Sequence, residues 1–407
     1  MPNLVVSKDC CGCSACANQC AKNAITMQPN AEGFLYPRIN ERLCVECGAC
    51  EKVCPALNLS GKITPPKNEW SGIKKAFIIQ HKNEDIRYQS TSGGAFTAFA
   101  EYVIMQGGIV FGAEMTNELK VKHSWVDTIE GLARFRNSKY VQSEIGNCYK
   151  LAKDFLKEGR LVCFSGTPCQ ISGLKSFLNK EYENLLTIDL VCKSVPSPLV
   201  FEKYLEYKKG KEGKISDVVF RDKKRGFLYC TMAHYSSHKK RQYGKSIYRR
   251  GSESDEWLRL FLSGKISRTS CLTCPYQVAE QSSDITLGDI WETGNSLFDD
   301  NKGTTKIYIW SNKGLHILRN IKANIRYEEV TMKPSGQKAI KNRFPTYPNR
   351  EQLFQDANLL SAEDFFNKYA PYNLRIKAKN LGRFLLWKVG AQSLVRHIKH
   401  LIIHRSK

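Results

Sequence analysis

Eight cysteines near the amino terminus constrain the fold of this chain more than any other feature. They form two runs of the same spacing, C-x-x-C-x-x-C-x-x-x-C, and Pro55 follows the second run. Three thiolates at three-residue steps fit three iron corners of one 4Fe-4S cubane, and the fourth cysteine of each run reaches the other cubane. The spacing therefore predicts two clusters. The first quartet of ligands is Cys10, Cys13, Cys16 and Cys54. The second quartet is Cys44, Cys47, Cys50 and Cys20.

Two details of these runs stand out. Ala21 follows the first run where a proline follows the second, and this change leaves all eight ligands in place. Cys11 is a ninth cysteine inside the first run, and a thiol that does not bind iron is favoured there over a spare ligand. A pair of zinc sites is the alternative for the same cysteines, but the complete double run favours iron-sulfur clusters.

Composition indicates the compartment and excludes some classes of partner. The chain has 407 residues, 16 of them cysteine, and its first ten residues hold no apolar stretch long enough for a signal peptide. In a reducing cytoplasm, clustered thiols bind metals more often than they form disulfides. The net charge is +23, yet no nucleic-acid-binding motif is visible. We therefore expect a cytoplasmic protein without a nucleic-acid partner.

The chain divides into four predicted parts. Residues 1–60 are rich in cysteine, and a Gly/Pro-containing linker over 60–68 follows them. Strand and helix patterns alternate over 69–198, which predicts a mostly parallel sheet covered by helices. Residues 199–345 have a more antiparallel character, and 346–407 are helical and basic. The expected fold class is thus α/β or α+β behind a ferredoxin-like domain.

Four further cysteines lie far apart in the rest of the chain. One opens a predicted helix in "SGTPCQ", one follows a predicted strand in "DLVC", and two form the pair in "CLTCP". Four thiols are the number that a third cubane needs. The alternative is two free thiols and a redox-active or zinc-binding pair. This third quartet is Cys169, Cys192, Cys271 and Cys274.

Two loops are candidates for binding an anionic cofactor. "STSGG" (Ser90–Gly94) opens a predicted helix, so its backbone N–H groups and the helix dipole suit a pyrophosphate. A helix start with glycines for close packing explains the same residues equally well. "SGTPCQ" follows a predicted strand, at the sheet edge where α/β proteins bind ligands.

The order of these motifs resembles a known family. Residues 1–60 resemble the bacterial two-cluster ferredoxin, and Lys74 to Trp291 resembles the coenzyme F420 hydrogenase/dehydrogenase beta-subunit family. The second resemblance is carried by "TSGGAF", "KYVQS", "SGTPCQ", "VCKSVPSP", "FRDK", "CLTCPY" and "SDITLGD". Relatives often have glycine where this chain has Lys193-Ser194, and the C-terminal tail lies outside the resemblance.

The resemblance implies a flavin cofactor. It implies that the ferredoxin-like domain is followed by a mixed α/β FAD-binding domain, with a cluster at the third quartet beside the flavin. The residues nominated for FAD are Ser92, Gly93, Gly94, Lys139, Gly166, Thr167 and Pro168. The sequence identifies no catalytic residue.

Three functions are expected from these features. The leading one is an iron-sulfur flavoprotein oxidoreductase that passes electrons between its clusters, FAD and a small-molecule substrate, linked to polysaccharide biosynthesis. The alternative enzyme is a beta subunit that relays electrons between the deazaflavin coenzyme F420 and a hydrogenase or formate dehydrogenase. A non-catalytic iron-sulfur carrier is the third. The expected redox partner is a ferredoxin-like donor or the deazaflavin.

Charged residues supply weaker candidates. Arg221 and Lys223, in "FRDKKRGF", suit an anionic cofactor or substrate or form an ordinary charged loop. Asp284 and Asp289 are equally suited to bonding a flavin and to a structural role. Residues 375–407 contain no acid and have apolar residues at helical spacing. Such a helix either docks on the body of the protein or lies peripherally on the inner face of the membrane.

Overall fold

The structure is a computed structural model, and it describes most of the chain. The described residues are 2, 4, 8–59, 75–236, 255–277, 283–291, 293, 295, 297–331 and 345–391. The predicted linker over 60–68 lies outside them.

The described helices and strands alternate along most of the chain. The strands are β1 (Ile25–Pro29), β2 (Leu35–Ile39), β3 (Lys75–His81), β4 (Ile109–Met115), β5 (Val121–Val126), β6 (Val162–Ser165), β7 (Leu185–Leu190), β8 (Ile215–Asp222), β9 (Thr231–Ser236), β10 (Ile285–Ile290), β11 (Thr304–Ile309) and β12 (Ile325–Val330). The α-helices are α1 (Ala15–Gln19), α2 (Ala49–Lys52), α3 (Pro55–Leu59), α4 (Glu84–Gln89), α5 (Ala95–Met105), α6 (Cys148–Lys157), α7 (Pro168–Leu178), α8 (Pro198–Glu212), α9 (Glu256–Ser263), α10 (Asn312–Asn320), α11 (Arg350–Leu359), α12 (Ala362–Tyr369) and α13 (Leu374–Lys388).

One eight-stranded sheet forms the centre of the molecule. Its order is β12-β3-β11-β10-β7-β6-β4-β5, and the pairs from β10 through β7 and β6 to β4 are parallel. The other four pairs are antiparallel. Three of them involve β10, β11 or β12, from the part of the chain whose sequence has the more antiparallel character. Two of the three pairs among β4, β5, β6 and β7 are parallel, and the exception, β4 with β5, has a link too short for the crossover that parallel strands require. The sheet is mixed, as the broader expectation of an α/β or α+β fold allowed.

Helices cover both faces of this sheet. On one face α5 and α10 pack on a core that includes Phe99 and Ile307, and on the other α6 and α7 pack on a core that includes Phe111 and Phe164. Strands buried on both faces read as nearly continuous apolar runs, which is why β3, β4 and β6 were recognisable in the sequence. The sheet takes strands from both sides of residue 198, and the four domain limits stay a prediction.

A second body of the protein packs beside the sheet. The hairpin β8–β9 joins α8, α9, α11 and α12 around Trp257, which is fully buried. Phe34 and Tyr36, from the cysteine-rich segment, belong to the same apolar core. The amino-terminal segment is therefore built into the body rather than tethered to it.

The basic tail is helical over α13. None of its side chains is buried; Leu381 is 60% exposed and Leu385 is 53% exposed. Residues 392–407 lie outside the described part of the chain, so peripheral membrane contact stays a prediction. In the described residues, no helix combines the length and the apolar character that crossing a bilayer demands.

Candidate functional site

The first quartet surrounds a small cavity. All four of its cysteines line this cavity, together with Gly12 and Pro55. Burial raises the pKa of the Cys10 thiol, and it raises the pKa of Cys16 to about 12 with the neighbouring thiols of Cys10 and Cys54 adding to the shift. Four thiols around one enclosed space support the ligand assignment made from the spacing, because iron binds thiols in the deprotonated form and removes the cost of burying them as thiolates.

The second quartet lies nearer to solvent. Cys20 and Cys50 pack in one apolar cluster with Cys16, whereas Cys47 is exposed. Leu43 and Val45, on either side of Cys44, are 50% and 59% exposed. This quartet therefore presents an apolar and accessible surface.

The two runs share an unusual backbone geometry. In the first run Gly12 (φ 70°) and Ser14 (φ 66°) adopt the left-handed conformation, and at the equivalent positions of the second run so do Glu46 (φ 53°) and Gly48 (φ 68°). Each run thus turns twice in the left-handed region, with glycine at one turn and a different residue at the other. Equal spacing has produced equal loops.

Helix α7 holds the first quartet against the sheet domain. A Cβ atom on Gly173 would lie 2.8 Å from Cβ and 2.9 Å from Sγ of Cys13, so only glycine permits this contact. Gln142 accepts a hydrogen bond from the Leu35 amide at 2.9 Å. Arg350 forms a two-pronged ion pair with Glu32. These contacts fix the position of the cysteine-rich domain.

The third quartet converges although its members are far apart in sequence. Burial raises the pKa of the Cys192 thiol well above its usual value, and the nearby thiols of Cys271, Cys169 and Cys274 add to that rise. The Val195 amide donates to Cys271 Sγ at 3.4 Å, as backbone N–H groups do around cluster sulfur atoms. The structure therefore brings the other three thiols into the neighbourhood of Cys192.

Cys11 connects the first quartet to the third. The neighbouring Cys13 thiol and burial raise the pKa of Cys11, which the Cys169 thiol lowers, and the neighbouring Cys11 thiol and burial raise the pKa of Cys169. Cys11 also lines both the small cavity and the larger pocket described next. The surplus cysteine of the sequence is the residue that lies between the two sites.

Within the described chain, no three or more His, Cys, Asp or Glu side chains converge on a point that would hold a single metal ion. The ligands of a cubane are arranged differently, because each thiolate binds a different iron atom at the corners of the cluster.

A pocket of about 510 Å³ opens where β4, β6, β7 and β10 end. Ligands of open α/β sheets bind at this edge, and the volume is typical of a ligand pocket. Cys169 and Cys192 form part of its wall, so the third quartet lies directly beside the pocket.

Most of the residues nominated for FAD lie in this pocket, but several have their polar groups in use. Lining residues include Ser92, Gly94, Lys139, Gly166 and Thr167. The amide groups of two of them donate inside the protein, Gly166 to the Ile188 carbonyl and Thr167 to Gln170 Oε1.

Gly93 and Lys139 are similarly occupied. The Gly93 amide donates to Thr305 Oγ1, and a Cβ atom on Gly93 would lie 2.2 Å from the Ile79 carbonyl oxygen. The ammonium group of Lys139 donates to the carbonyls of Arg134 and Arg136. Close packing thus accounts for Gly93, and Pro168 begins α7 without an N–H group.

The start of α5 remains suited to an anion. The first N–H groups of a helix have no acceptor within it, and no side chain caps this helix at Gly94. Gly94 through Thr97 line the pocket. A phosphate group placed there meets backbone donors and the positive end of the helix dipole.

Two buried side chains in the pocket each have one unpartnered atom. His123 Nε2 lies 3.1 Å from the Ser165 carbonyl and burial lowers the pKa of the ring to about 4, so Nε2 carries the proton and Nδ1 is an acceptor without a partner among the described residues. Asp189 Oδ1 accepts from Thr286 Oγ1 at 2.5 Å, whereas Oδ2 has no described partner. No motif surrounds His123 in the sequence, and Asp189 appeared there only as a neighbour of Cys192.

The charged candidates divide into pocket and structural residues. Asp289 lines the pocket and pairs with Arg221 at 2.5 Å. Lys223 Nζ donates to three backbone carbonyls, and burial lowers the pKa of its ammonium group to about 7. Asp284 accepts two hydrogen bonds from Thr187. Lys223 and Asp284 therefore hold the fold together.

Comparison with known families assigns two parts of the chain. Residues 9–58 match the model of a 4Fe-4S dicluster domain. Residues 159–335 match the model that describes the C terminus of the coenzyme F420 hydrogenase/dehydrogenase beta subunit. The chain thus joins a segment similar to a 4Fe-4S dicluster domain to a segment similar to the C terminus of this beta subunit. Both resemblances noted in the sequence are confirmed, and the beta-subunit domain contains the third quartet.

Individual relatives cover parts of the chain. A polyferredoxin-like protein of Methanocaldococcus jannaschii is 34% identical over 97 residues, which is 21% of this chain and 58% of the relative. The coenzyme F420-dependent sulfite reductase of the same organism is 25% identical over 206 residues, 50% of this chain and 30% of the relative. The chain therefore spans less than two thirds of either relative.

A solved structure shows a weaker similarity. A chain of the F420-reducing [NiFe] hydrogenase complex from Methanosarcina barkeri aligns with a TM-score of 0.44 and 14% identity, over 74% of this chain and 94% of the other. A score of this size is too low to carry an argument.

Proposed function

We propose that this protein is an electron-relay oxidoreductase that passes electrons between its iron-sulfur clusters and the coenzyme F420. The observation that carries the proposal is the position of Cys11, which lines both the small cavity of the first quartet and the larger pocket and so places the first quartet next to the wall of that pocket. The names of the matched beta-subunit family and of the sulfite reductase relative favour the F420 coenzyme as substrate.

This choice replaces the function that the sequence favoured. No observation supports a link to polysaccharide biosynthesis, whereas two comparisons that extend beyond the ferredoxin domain name the F420 coenzyme. A hydrogenase, a dehydrogenase or a ferredoxin-like protein is then the expected redox partner. The exposed second quartet offers that partner a point of contact.

The pocket fits FAD as the mediating cofactor. The open start of α5 suits its pyrophosphate, and the unpartnered Nδ1 of His123 suits an N–H donor such as the ring system carries. A bound FAD would join two-electron hydride chemistry to one-electron transfer at the clusters. We place the anion site at the start of α5 because the amide groups of Gly93, Gly166 and Thr167 already donate hydrogen bonds within the protein.

Other residues of the chain would bind the third cluster, transfer the proton and exclude water. The third quartet would hold the cluster beside the pocket. Burial raises the pKa of Asp189 to about 7, so near neutral pH its Oδ2 can hold or release the proton that accompanies a hydride. A hydride carries two electrons and one proton, so its transfer can reduce two clusters by one electron each and release that proton. The apolar wall of the pocket, including Leu287 and Phe261, excludes water from the exchange.

The test begins with the cofactor content of anaerobically purified protein. We expect about twelve irons, as much acid-labile sulfide, and one FAD per chain. A content of about eight irons with FAD retained would return the third quartet to redox or structural roles. Absence of FAD after reconstitution would leave the carrier function instead.

The substrate is then tested by mixing with chemically reduced F420 under anaerobic conditions. We expect oxidation of the coenzyme with bleaching of the iron-sulfur absorbance in the same reaction. Cys169→Ala, which removes one member of the third quartet, should stop the bleaching while Cys163→Ala, a buried cysteine of β6 outside every quartet, leaves it intact. If the clusters of intact protein stay oxidised, the F420 assignment is wrong.

A further inference from the structure

Arg268 is a fully buried cation at the junction of the two domains. It precedes the turn that carries Cys271, and its backbone amide donates to the Val195 carbonyl at 2.8 Å. Its Nε donates to the Cys10 carbonyl at 2.7 Å, and its guanidinium lies 4.0 Å from the ring centre of Tyr36. The side chain thus reaches from the third quartet to the first.

The outer nitrogen atoms of this guanidinium have no partner. Both Nη1 and Nη2 are buried without a hydrogen bond among the described residues, and no described carboxylate pairs with Arg268. Arg350, close by, has Glu32 as counter-ion. An isolated buried charge is strongly unfavourable, so a group of opposite charge is expected beside Arg268.

Arg268 lies between a cysteine of the first quartet and a cysteine of the third. Its Nε donates to the Cys10 carbonyl, and its own carbonyl accepts from the Cys271 amide at 2.9 Å. A Cβ atom on Gly12 would lie 3.0 Å from Nη1, so the loop of the first quartet is in direct contact with the cation.

We propose that Arg268 is the shared counter-ion of two iron-sulfur clusters, those of the first and third quartets, and that it raises the reduction potential of both. The inference rests on the proposed function, because it uses the cluster at the third quartet. Stacking on Tyr36 accounts for the flat face of the guanidinium. It does not account for the N–H groups at the edge, which point away from a stacked ring and need acceptors such as cluster sulfur.

The sign of the effect follows from charge. Reduction adds one negative charge to a cluster, and a nearby cation stabilises the reduced form more than the oxidised form. Removal of the cation therefore lowers the reduction potential. The described hydrogen bonds of Arg268 involve Cys10, Val195 and Cys271 and no member of the second quartet, so the potential of the second cluster should change least.

The experiment is a redox titration followed by electron paramagnetic resonance on complete, anaerobically purified protein. In Arg268→Gln we expect the potentials of two clusters to fall, each equilibrium moving about tenfold, which is about 59 mV for one electron. Arg268→Lys keeps the charge and should stay closer to the unmodified protein. The double variant Asp356→Asn/Lys368→Gln removes a neutral ion pair between α11 and α12, outside every quartet, and should leave the potentials unchanged.

The iron content separates this inference from the proposed function. Potentials that do not move in Arg268→Gln, with about twelve irons retained, would overturn the inference and leave the function standing. Intact protein with about eight irons would instead overturn the third cluster. An equal fall of the potentials in the double variant would also overturn the inference, since the loss of an ion pair outside the quartets would then suffice.

A second experiment does not use Arg268→Gln and therefore still tests the proposal if that variant fails to assemble its clusters. Protein grown with isotopically labelled arginine nitrogen should show magnetic coupling between that nitrogen and a reduced cluster, and Arg268→Lys should lose it. If the coupling is absent, or persists in Arg268→Lys, the guanidinium does not donate to a cluster and the proposal is wrong.

Discussion

The two cysteine runs have the same spacing and the same backbone turns but opposite surroundings. The first is enclosed by Arg268, Gln142 and the glycine face of α7. The second exposes Cys47 together with Leu43 and Val45. Local sequence thus determines the loop that holds a cluster, whereas its environment is determined by what packs against the loop.

The residue at the first left-handed turn of each run differs in line with these surroundings. Gly12 in the first run must be glycine because side chains of the body lie against it, and the equivalent Glu46 faces solvent with its own left-handed turn. The exposed second quartet is therefore the outer site, and the enclosed first quartet is the inner site. Under the proposed function, electrons cross the outer site to reach a partner and the inner site to reach the pocket.

The strongest test of this comparison is the order in which the clusters are lost in air. We expect a first phase that releases about four irons, from the second quartet, because exposed clusters are open to oxidants and buried ones are not. Cys47 should become available to an alkylating reagent in that phase, before Cys13 and Cys16. Iron release and peptide mass spectrometry follow both events. Equal rates for the two quartets would remove the distinction between outer and inner sites.

The next test places the same substitution in both runs. Gly12→Ala adds a Cβ atom 2.6 Å from Gln142 Nε2 at a left-handed residue, so overpacking and backbone strain should together lower the free energy of unfolding by about 3 kcal/mol. Gly48→Ala has the same backbone strain, but the nearest atom is 3.9 Å away, and we expect a loss of about 1 kcal/mol. Anaerobic denaturant unfolding measures both. A larger loss for Gly48→Ala would contradict the packing argument.

A third test addresses the contact between α7 and the first run. In Gly173→Ala the new methyl group meets Cys13, and overpacking should outweigh the helix preference of alanine, with a net loss of about 1–2 kcal/mol. Gly210→Ala, in an exposed part of α8 with no atom within 4 Å, is the matched control and should gain roughly 0.5–1 kcal/mol. Thermal midpoints of the anaerobic proteins compare them. A gain in both would mean that α7 does not clamp the first quartet.

The same contrast explains how much the sequence alone could predict. The dicluster domain was predictable because its cysteines follow a regular spacing in the chain, and the central strands because their apolar runs are nearly continuous. The convergence of the third quartet depends on β6, β7 and a distant turn meeting at one sheet edge. Spacing carries no information about such a meeting.

Other features of the site depend on tertiary contacts in the same way. Arg268 looks like any surface arginine in "ISRTSC", and only its burial shows otherwise. The glycines nominated for a phosphate were recognisable, but the use of their amides by Thr305, Ile188 and Gln170 was not. Strands β11 and β12 went unassigned, although the more antiparallel character of residues 199–345 was recognised.

The smallest expected effect is a pH dependence of the unfolding free energy that comes from Asp189 in the pocket. The pKa of Asp189 is raised to about 7 by burial, so the folded protein keeps a proton that the unfolded chain has released above its ordinary pKa. The stability from this group is complete at low pH and falls as pH rises toward the folded pKa. Between about pH 6 and about pH 7 the loss should be about 1 kcal/mol.

Asp189→Asn keeps the shape and the neutral charge of the protonated acid, and its amide can still accept from Thr286. We therefore expect the difference in unfolding free energy between this variant and the unmodified protein to grow with pH in the variant's favour. His123 has the opposite sign, because its folded pKa of about 4 lies below the ordinary value and its stability is lost as pH falls, but this contribution is common to both proteins and cancels in the difference. A difference that stays constant across this pH range would show that Asp189 is ionised throughout, and the pocket would then lack its proton-holding group.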